Sequence, residues 1–511
     1  MKLCVLVVIC TVICCCSALN ILVVFPHPGA SHFFVFDPLF KELAHRGHNV
    51  TVISYLPQKK PVPNLRDIPL NENFSHFQEM MDFNLLTGSR SMLWSGANLL
   101  GYFASVTCEA GLTNQNFQNF LKEDHQFDLI LMEYFNTNCF NGLLEKYKVP
   151  VIGLSSCVNM PWFNEYFAIP ENPAYVPTIF MDYSDKLTFI ERVENTVMKL
   201  YTDFMFQFPI KTRGNELSKK YTGYNLDYDH YTNSSLLLAN TFFSLNLPRA
   251  LPPNVIEVGG MHVPQKTKPL PKNIEKWIDE STEGVIYFSL GSMIKGHTFP
   301  EDKRQEFLRA FRRLPQRVLW KWENETMNNK PDNVMINKWM PQFDVLCHPN
   351  VKAFIAHGGL LGTIEAVHCG VPVIVMPQFG DQFTNARALE ANGGGVILHL
   401  KDATEELIYK KLKTVLSPKF RQQAKDLSER FRDRPLPPLD TAIYWVEYVA
   451  RHKGAPHMRT AAVNMPFYQY YLLDVISFLL LVVGSVLYTL FYVGRLLLRK
   501  LLKHNAKQKT E

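Results

Sequence analysis

Residues 20–25, Asn-Ile-Leu-Val-Val-Phe, form an uncharged apolar run. One short loop leads from it into a helical pattern over 33–46, closed by Gly47, and then into a second apolar run at 50–54. A strand apolar on both faces must be covered on both faces, and two such strands joined by a helix lie parallel in one sheet. The chain therefore opens as a βαβ unit of an α/β fold.

The same rhythm continues. Runs at 127–132 and 149–154 read as buried strands, with room for a helix at 139–147. Three prolines within 247–253 break the pattern, after which strands are expected at 285–290, 318–322, 334–336, 353–355 and 371–376, and a helix at 439–451. With 511 residues and 47% hydrophobic content, one core is too few. Two domains are expected, at 20–254 and 255–455. Facing α/β domains place the loops at the carboxyl ends of their strands along a shared crevice, where ligands bind in such folds.

Both ends of the chain look like addresses. Residues 1–19 combine Lys2, an apolar run and the small exit residues Ser17-Ala18, as a secretory signal peptide does. Residues 475–493 carry no charge and are flanked by Tyr468, Tyr470, Tyr471 and Tyr492, the pattern of a transmembrane helix with interfacial aromatics. The tail 494–511 holds six basic residues against Glu511 and is expected on the cytosolic side, leaving the bulk of the chain lumenal as a type I protein. Lys507 and Lys509 sit five and three residues from the end, as in a dilysine endoplasmic-reticulum retrieval signal. Tail and leader together account for nearly all of the +6 formal charge, so the basic balance does not indicate nucleic-acid binding.

Five of the ten cysteines fall in the leader. The remaining Cys108, Cys139, Cys157, Cys347 and Cys369 are widely spaced and odd in number, so they are expected as buried small hydrophobes rather than a disulfide framework. Glycosylation sequons occur at Asn49, Asn73, Asn233 and Asn324, with Asn49 beside a buried strand the least favourable.

The chemistry concentrates in one stretch: Trp339-Met340-Pro341-Gln342, then 354–366 with His357-Gly358-Gly359, Gly362-Thr363 and Glu365, then 376–386 with Asp381-Gln382. A strand running into His-Gly-Gly delivers a helix start whose free amides and positive dipole end suit a diphosphate. His357 can donate to a phosphate oxygen, Thr363 is expected near the same helix start, and Glu365 can accept from ribose hydroxyls. Taken singly, each motif is also met in an ordinary βαβ turn; their clustering sets this stretch apart.

This stretch resembles the signature of the UDP-glycosyltransferases, and the leader, linker, apolar segment and basic tail extend the likeness, closest to the arthropod membrane-bound branch. The resemblance implies a GT-B fold, two facing Rossmann-like domains with one C-terminal transmembrane helix. The first domain would bind the acceptor and the second the UDP-sugar. It further implies that Trp339 stacks on uracil, Gln342 contacts the base or ribose, Ser292, Gly359 and Gly362 help hold the phosphates, and Asp381 and Gln382 hold sugar hydroxyls. Leu361 departs from the asparagine of many relatives. The catalytic base would be His32, in the loop after the first strand, with His27 as a competitor; as a neutral imidazole it would take the proton of an acceptor hydroxyl. Its acidic partner is expected at Glu133, where vertebrate relatives carry aspartate, with Asn138 near the position some insect relatives use.

The implied reaction moves a hexosyl group, from UDP-glucose in preference to UDP-glucuronic acid, onto a hydroxyl of a small lipophilic acceptor of the kind handled in xenobiotic detoxification. The UDP-sugar is a co-substrate, and neither cofactor nor metal is expected. The aromatic-rich stretches 74–120 and 162–208 are the expected acceptor pocket, although core packing explains them equally well. One rival is a lumenal carrier of the same fold without turnover. A dinucleotide-dependent oxidoreductase ranks lower, since no G-x-G-x-x-G follows the first strand. Acceptor identity and oligomeric state, a homo-oligomer included, stay open.

Overall fold

The computed structural model describes residues 18–70, 90–224, 234–292 and 294–508. Residues 1–17 of the signal expected at 1–19, the sequons Asn73 and Asn233, and residues 509–511 of the retrieval signal lie outside them.

Residues up to Arg459 form one compact unit, and Thr460 onward another. The first contains two sheets. One holds β1 (Asn20–Phe25), β2 (Asn49–Ser54), β3 (Leu65–Pro69), β4 (Leu129–Glu133), β5 (Val151–Ser155), β6 (Ser234–Ala239) and β7 (Val255–Glu257), in the order β3-β2-β1-β4-β5-β6-β7. The other holds β8 (Val285–Ser289), β9 (Arg317–Lys321), β10 (Val334–Asn337), β11 (Val351–Ala356), β12 (Val373–Val375) and β13 (Gly395–Ile397), ordered β10-β9-β8-β11-β12-β13. All pairings within both sheets are parallel. Each order reverses direction once, between β1 and β4 and between β8 and β11, and a doubly wound sheet opens its ligand crevice at that reversal.

β1 is apolar on both faces because both are covered. Leu22 and Val24 pack with one cluster, Ile21, Val23 and Phe25 with the other. The helix Ala30–His45 covers the second side, its Phe33 and Phe40 rings 5.5 and 6.4 Å from Phe25. Burying each such ring stabilises the fold by roughly 1.5–3 kcal/mol.

Two elements cross the boundary expected at residue 255. β7 follows the proline-rich segment yet pairs with β6 in the first sheet. The helix Pro438–Arg451 buries Ala442, Ile443 and Val446 in the core beneath β1, because those residues lie on one face at helical spacing.

Four of the five non-leader cysteines are paired, Cys108–Cys139 and Cys347–Cys369, while Cys157 is free and buried. This corrects the expectation of buried unpaired thiols. The odd count arises from Cys157 alone, and the partners meet only through tertiary packing.

In the second unit the helix Leu473–Gln508 encloses the expected span 475–493. Its portion Leu473–Lys503, 31 residues containing an 18-residue window of mean hydropathy 2.3, is long and apolar enough to cross a bilayer.

Candidate active site

The two sheets of the first unit enclose a cleft of about 410 Å³. Its walls are the loops after β1, β4 and β5 on one side and, on the other, the end of β9 with the loops after β8, β10, β11 and β12.

On the first side, the loop 26–29 turns directly into the helix Ala30–His45, whose first bonds run from the amides of His32 and Phe33 to the Gly29 carbonyl. His32 therefore stands in the first turn, its ring 4.5 Å from that of His27 and 4.3 Å from Phe135. Its Nδ1 lies 2.9 Å from Glu133 Oε1 and 2.6 Å from Ser156 Oγ. Ser156 Oγ in turn donates to Glu133 Oε1 at 3.3 Å, and the His27 amide donates to Glu133 Oε2 at 3.3 Å. Three donors thus converge on one carboxylate, an arrangement satisfied when Nδ1 carries the imidazole proton and Nε2 keeps its lone pair. Burial raises the Glu133 carboxyl above its ordinary range, opposed by the hydrogen bond with His32. For His27, burial and then the neighbouring His32 hold the imidazole well below its usual range.

Asn138 stands elsewhere: its amide donates to Asn215 Oδ1 at 2.8 Å and to the Lys211 carbonyl. The apolar wall comes from Leu99, Leu100 and Phe103 on the helix Arg90–Thr113, with Ile179 and Phe180. Trp162, in the expected pocket stretch, stacks on Phe206 in the core.

On the second side, β11 ends at Ala356 and the chain enters the helix Leu360–His368 through His357-Gly358-Gly359. Gly358 has φ +90°, which favours glycine, and a Cβ on Gly359 would lie 2.5 Å from His357 Nε2. The first intrahelical bond is Thr363 N–H to the Gly359 carbonyl, so the amides of Leu360, Leu361 and Gly362 precede it without intrahelical partners. His357 Nδ1 is buried with no hydrogen-bond partner. Burial, aided by nearby Lys321, lowers this imidazole to about 4, which keeps it neutral at pH 7.

Gln342 Nε2 donates to Glu365 Oε2 at 2.6 Å, and burial pushes the Glu365 carboxyl up to about 7. Trp339 stands at the rim, 67% exposed, and Ser292 also lines the cleft. Asp381 Oδ2 accepts from Asn385 Nδ2 at 2.9 Å. Burial raises its carboxyl, while the hydrogen bond from Asn385 and the nearness of the His32 imidazole across the cleft lower it.

Two expected residues are employed differently. Thr363 is buried, outside the cleft lining, and its hydroxyl donates to the Gly359 carbonyl at 3.0 Å. Gln382 lines the cleft, but its Oε1 accepts from the amides of Gln378 and Phe379, leaving its amide group for a ligand. Sequence reasoning missed Ser156, Lys321 and Phe135. Ser156 follows β5 and Lys321 ends β9, the carboxyl ends where ligands gather in such sheets, a signal that could have found them. The lobes are tied by Arg387 Nε donating to Asp182 Oδ1 at 2.7 Å.

This two-sheet arrangement is the GT-B fold. It is similar to a solved glycosyltransferase of kitacinnamycin, with TM-score 0.57 at 18% identity over 85% of this chain and 99% of that one. The calicheamicin glycosyltransferase CalG4 gives TM-score 0.55 at 16% identity, over 86% of this chain and 100% of that one.

Sequence narrows the class. Residues 20–508 match the family model described as UDP-glucoronosyl and UDP-glucosyl transferase, and the chain belongs to that family. Among its relatives are the UDP-glycosyltransferase UGT5 of Dactylopius coccus, 43% identical over 94% of this chain and 93% of that protein, and the UDP-glucuronosyltransferase 1A9 of Mus musculus, 34% identical over 92% and 90%. The protein is a UDP-glycosyltransferase enzyme.

Proposed function

We propose that this enzyme moves a hexosyl group from UDP-glucose, in preference to UDP-glucuronic acid, to a hydroxyl of a small lipophilic acceptor, inverting the anomeric carbon to give a β-glycoside. The observation that carries the reading is the facing of two assemblies across one cleft: His32 backed by Glu133, and the helix start at His357-Gly358-Gly359 with its unengaged amides.

The acceptor hydroxyl gives its proton to His32 Nε2 as its oxygen bonds to the anomeric carbon. The bond from that carbon to the diphosphate oxygen breaks, and its electron pair leaves with UDP. Growing charge on the diphosphate meets the amides of 360–362, neutral His357 and the Lys321 ammonium, so neither metal nor cofactor enters the scheme. Asp381 and the free amide of Gln382 hold sugar hydroxyls. The carrier reading drew on the doubtful acidic partner, and Glu133 at 2.9 Å from His32 supplies one.

The donor preference rests on charge. Among the described residues lining the cleft, Lys321 is the sole lysine or arginine, and it already donates to the Gly291 carbonyl at 3.0 Å and to Glu323 Oε1 at 2.9 Å. A C6 carboxylate would find no free guanidinium there and would approach Asp381. Microsomes assayed with each labelled UDP-sugar and a panel of phenols should turn over UDP-glucose at least ~10-fold faster, a difference of about 1.4 kcal/mol, with or without EDTA. Equal or faster use of UDP-glucuronic acid would remove the preference.

Trp339 offers a second test, since its exposed ring is the stacking platform proposed for uracil. Trp339→Ala should weaken UDP binding by ~10–100-fold in calorimetry, the scale of losing one base–aromatic stack of about 1–3 kcal/mol. Unchanged affinity would place the base elsewhere. The leader and basic tail support a lumenal, type I placement in the endoplasmic reticulum membrane.

A further inference from the structure

One carboxylate bridges the two halves of the cleft. Asp182 belongs to the half built on the first sheet, and both of its oxygens meet cationic side chains of the second: Arg387 Nε donates to Oδ1 at 2.7 Å, and His399 Nε2 lies 3.5 Å from Oδ2. Arg387 Nη1 donates in turn to Glu390 Oε2 at 3.1 Å, so the guanidinium is stretched between two carboxylates and its orientation is set. The side chains of Asp182 and Arg387 are 20% and 30% exposed, which shields the pair from the screening that weakens fully exposed ones.

The chain on each side of this bridge is held firmly and leads into the cleft. Asp182 follows Ile179 and Phe180 of the apolar wall by three and two residues. That segment is fastened to the helix Phe189–Met205: the Thr178 amide donates to Asn195 Oδ1 at 2.7 Å, and Tyr183 donates to Glu194. Between them the Met181 amide donates to the Thr178 carbonyl at 2.8 Å. Asn195 is itself buried and donates to the carbonyls of Pro173 and Val176 at 2.9 and 2.8 Å. On the other side, Arg387 lies on the helix Gln382–Ala391, anchored in the core by Ala386 and Leu389. At about 1.5 Å of rise per residue, Arg387 stands roughly 9 Å along that helix from Asp381 at its start.

None of Asp182, Arg387 and His399 is among the described residues that line the cleft, so the bridge acts by placement rather than by touching substrate. Placement is what this architecture leaves open. Halves of one chain commonly meet through polar contacts and shift against each other, and a misplacement of about 1 Å between reacting groups can lower a rate by about 10²-fold. The acceptor wall rides on one sheet and the sugar contacts on the other, so the reach between them depends on a contact that joins the two. We propose that Asp182 is a positioning residue for glycosyl transfer, given that Asp381 and Gln382 hold the sugar as proposed above: with Arg387 and His399 it seats the wall Ile179-Phe180 against the helix that carries those two residues, and so sets the reach of the acceptor oxygen to the anomeric carbon.

The test uses the full-length enzyme, with whichever of UDP-glucose and UDP-glucuronic acid, and whichever phenol, the parent turns over fastest. Asp182→Asn keeps the shape of the side chain and removes its charge. Its kcat should fall about 10-fold, while UDP affinity of the detergent-purified enzyme stays at the parent value, because the proposed nucleotide contacts lie within the second half. Arg387→Gln should reproduce the fall from the opposite side, and the double variant should be no slower than the slower single one, since both remove the same link. A kcat in Asp182→Asn within about twofold of the parent, losses that multiply in the double variant, or a loss of UDP affinity as large as the loss of rate overturns the proposal. Should Asp182→Asn fail to fold, Arg387→Gln alone decides, and a parent-level kcat there overturns it. Failure of the sugar-site reading has a separate signature: Asp381→Asn would leave KM for the UDP-sugar at the parent value, whatever Asp182→Asn does.

Discussion

Replacing His32 by alanine should lower turnover by about 10²–10⁴-fold, the range a positioned general base contributes, while UDP affinity stays at the parent value. The separation follows from the fold. His32 is carried by the loop after β1 in the first sheet, whereas the proposed nucleotide contacts His357, Gln342 and Glu365 belong to the second. Its Nδ1 is occupied by Glu133 and Ser156, so Nε2 is the nitrogen left for a substrate proton. Single-turnover rates and UDP calorimetry on the same preparation check both halves. His27 is the natural competitor, yet it is 6% exposed and burial disfavours its charged form. Full activity in His32→Ala together with loss in His27→Ala would move the base to His27.

Much of this was legible in the sequence, for a physical reason. Strands buried on both faces cannot alternate, so β1, β5 and β8 stand out as uncharged runs, and β4 and β11 as apolar runs broken only by Glu133 at the end of β4 and Lys352 near the start of β11. β3 does not, because Leu65–Pro69 lies at a sheet edge and carries Arg66 and Asp67. β7 and β13 have three residues each, too few for a periodicity, and β7 hides behind the prolines that mimic a linker. β6 is six fully buried residues and met the criterion without being recognised.

The site divides the same way. His357-Gly358-Gly359 was legible because a strand-to-helix corner with free amides is a local feature. Ser156 was not, since only the tertiary order β1-β4-β5 brings the ends of three strands together. Thr363 was misjudged because the position four residues after the cap lets its hydroxyl bond back to Gly359 and turn inward. Pairing of Cys108 with Cys139 and of Cys347 with Cys369 is likewise a tertiary fact, spanning 31 and 22 residues.

Glu133→Gln should reduce turnover by about 10²–10⁴-fold with little change in UDP binding. The carboxylate accepts from the His27 amide, the Ser156 hydroxyl and His32 Nδ1, and it is 1% exposed, so no water replaces a lost partner. A glutamine has one accepting oxygen. Turned toward the His27 amide, it aims its NH₂ at His32 Nδ1, which must then accept, and the imidazole proton moves to Nε2, where the ring can no longer take a proton from the acceptor. Nor can a neutral amide stabilise the imidazolium that forms as the acceptor attacks. Glu133→Asp keeps the charge on a side chain shorter by one methylene, with Ser156 still able to bridge to His32, and should recover part of the lost rate. A merely structural role would treat Asp and Gln alike, since each disturbs the packing slightly. Parent-level kcat in the glutamine variant, or aspartate no better than glutamine, would therefore remove Glu133 from the reaction.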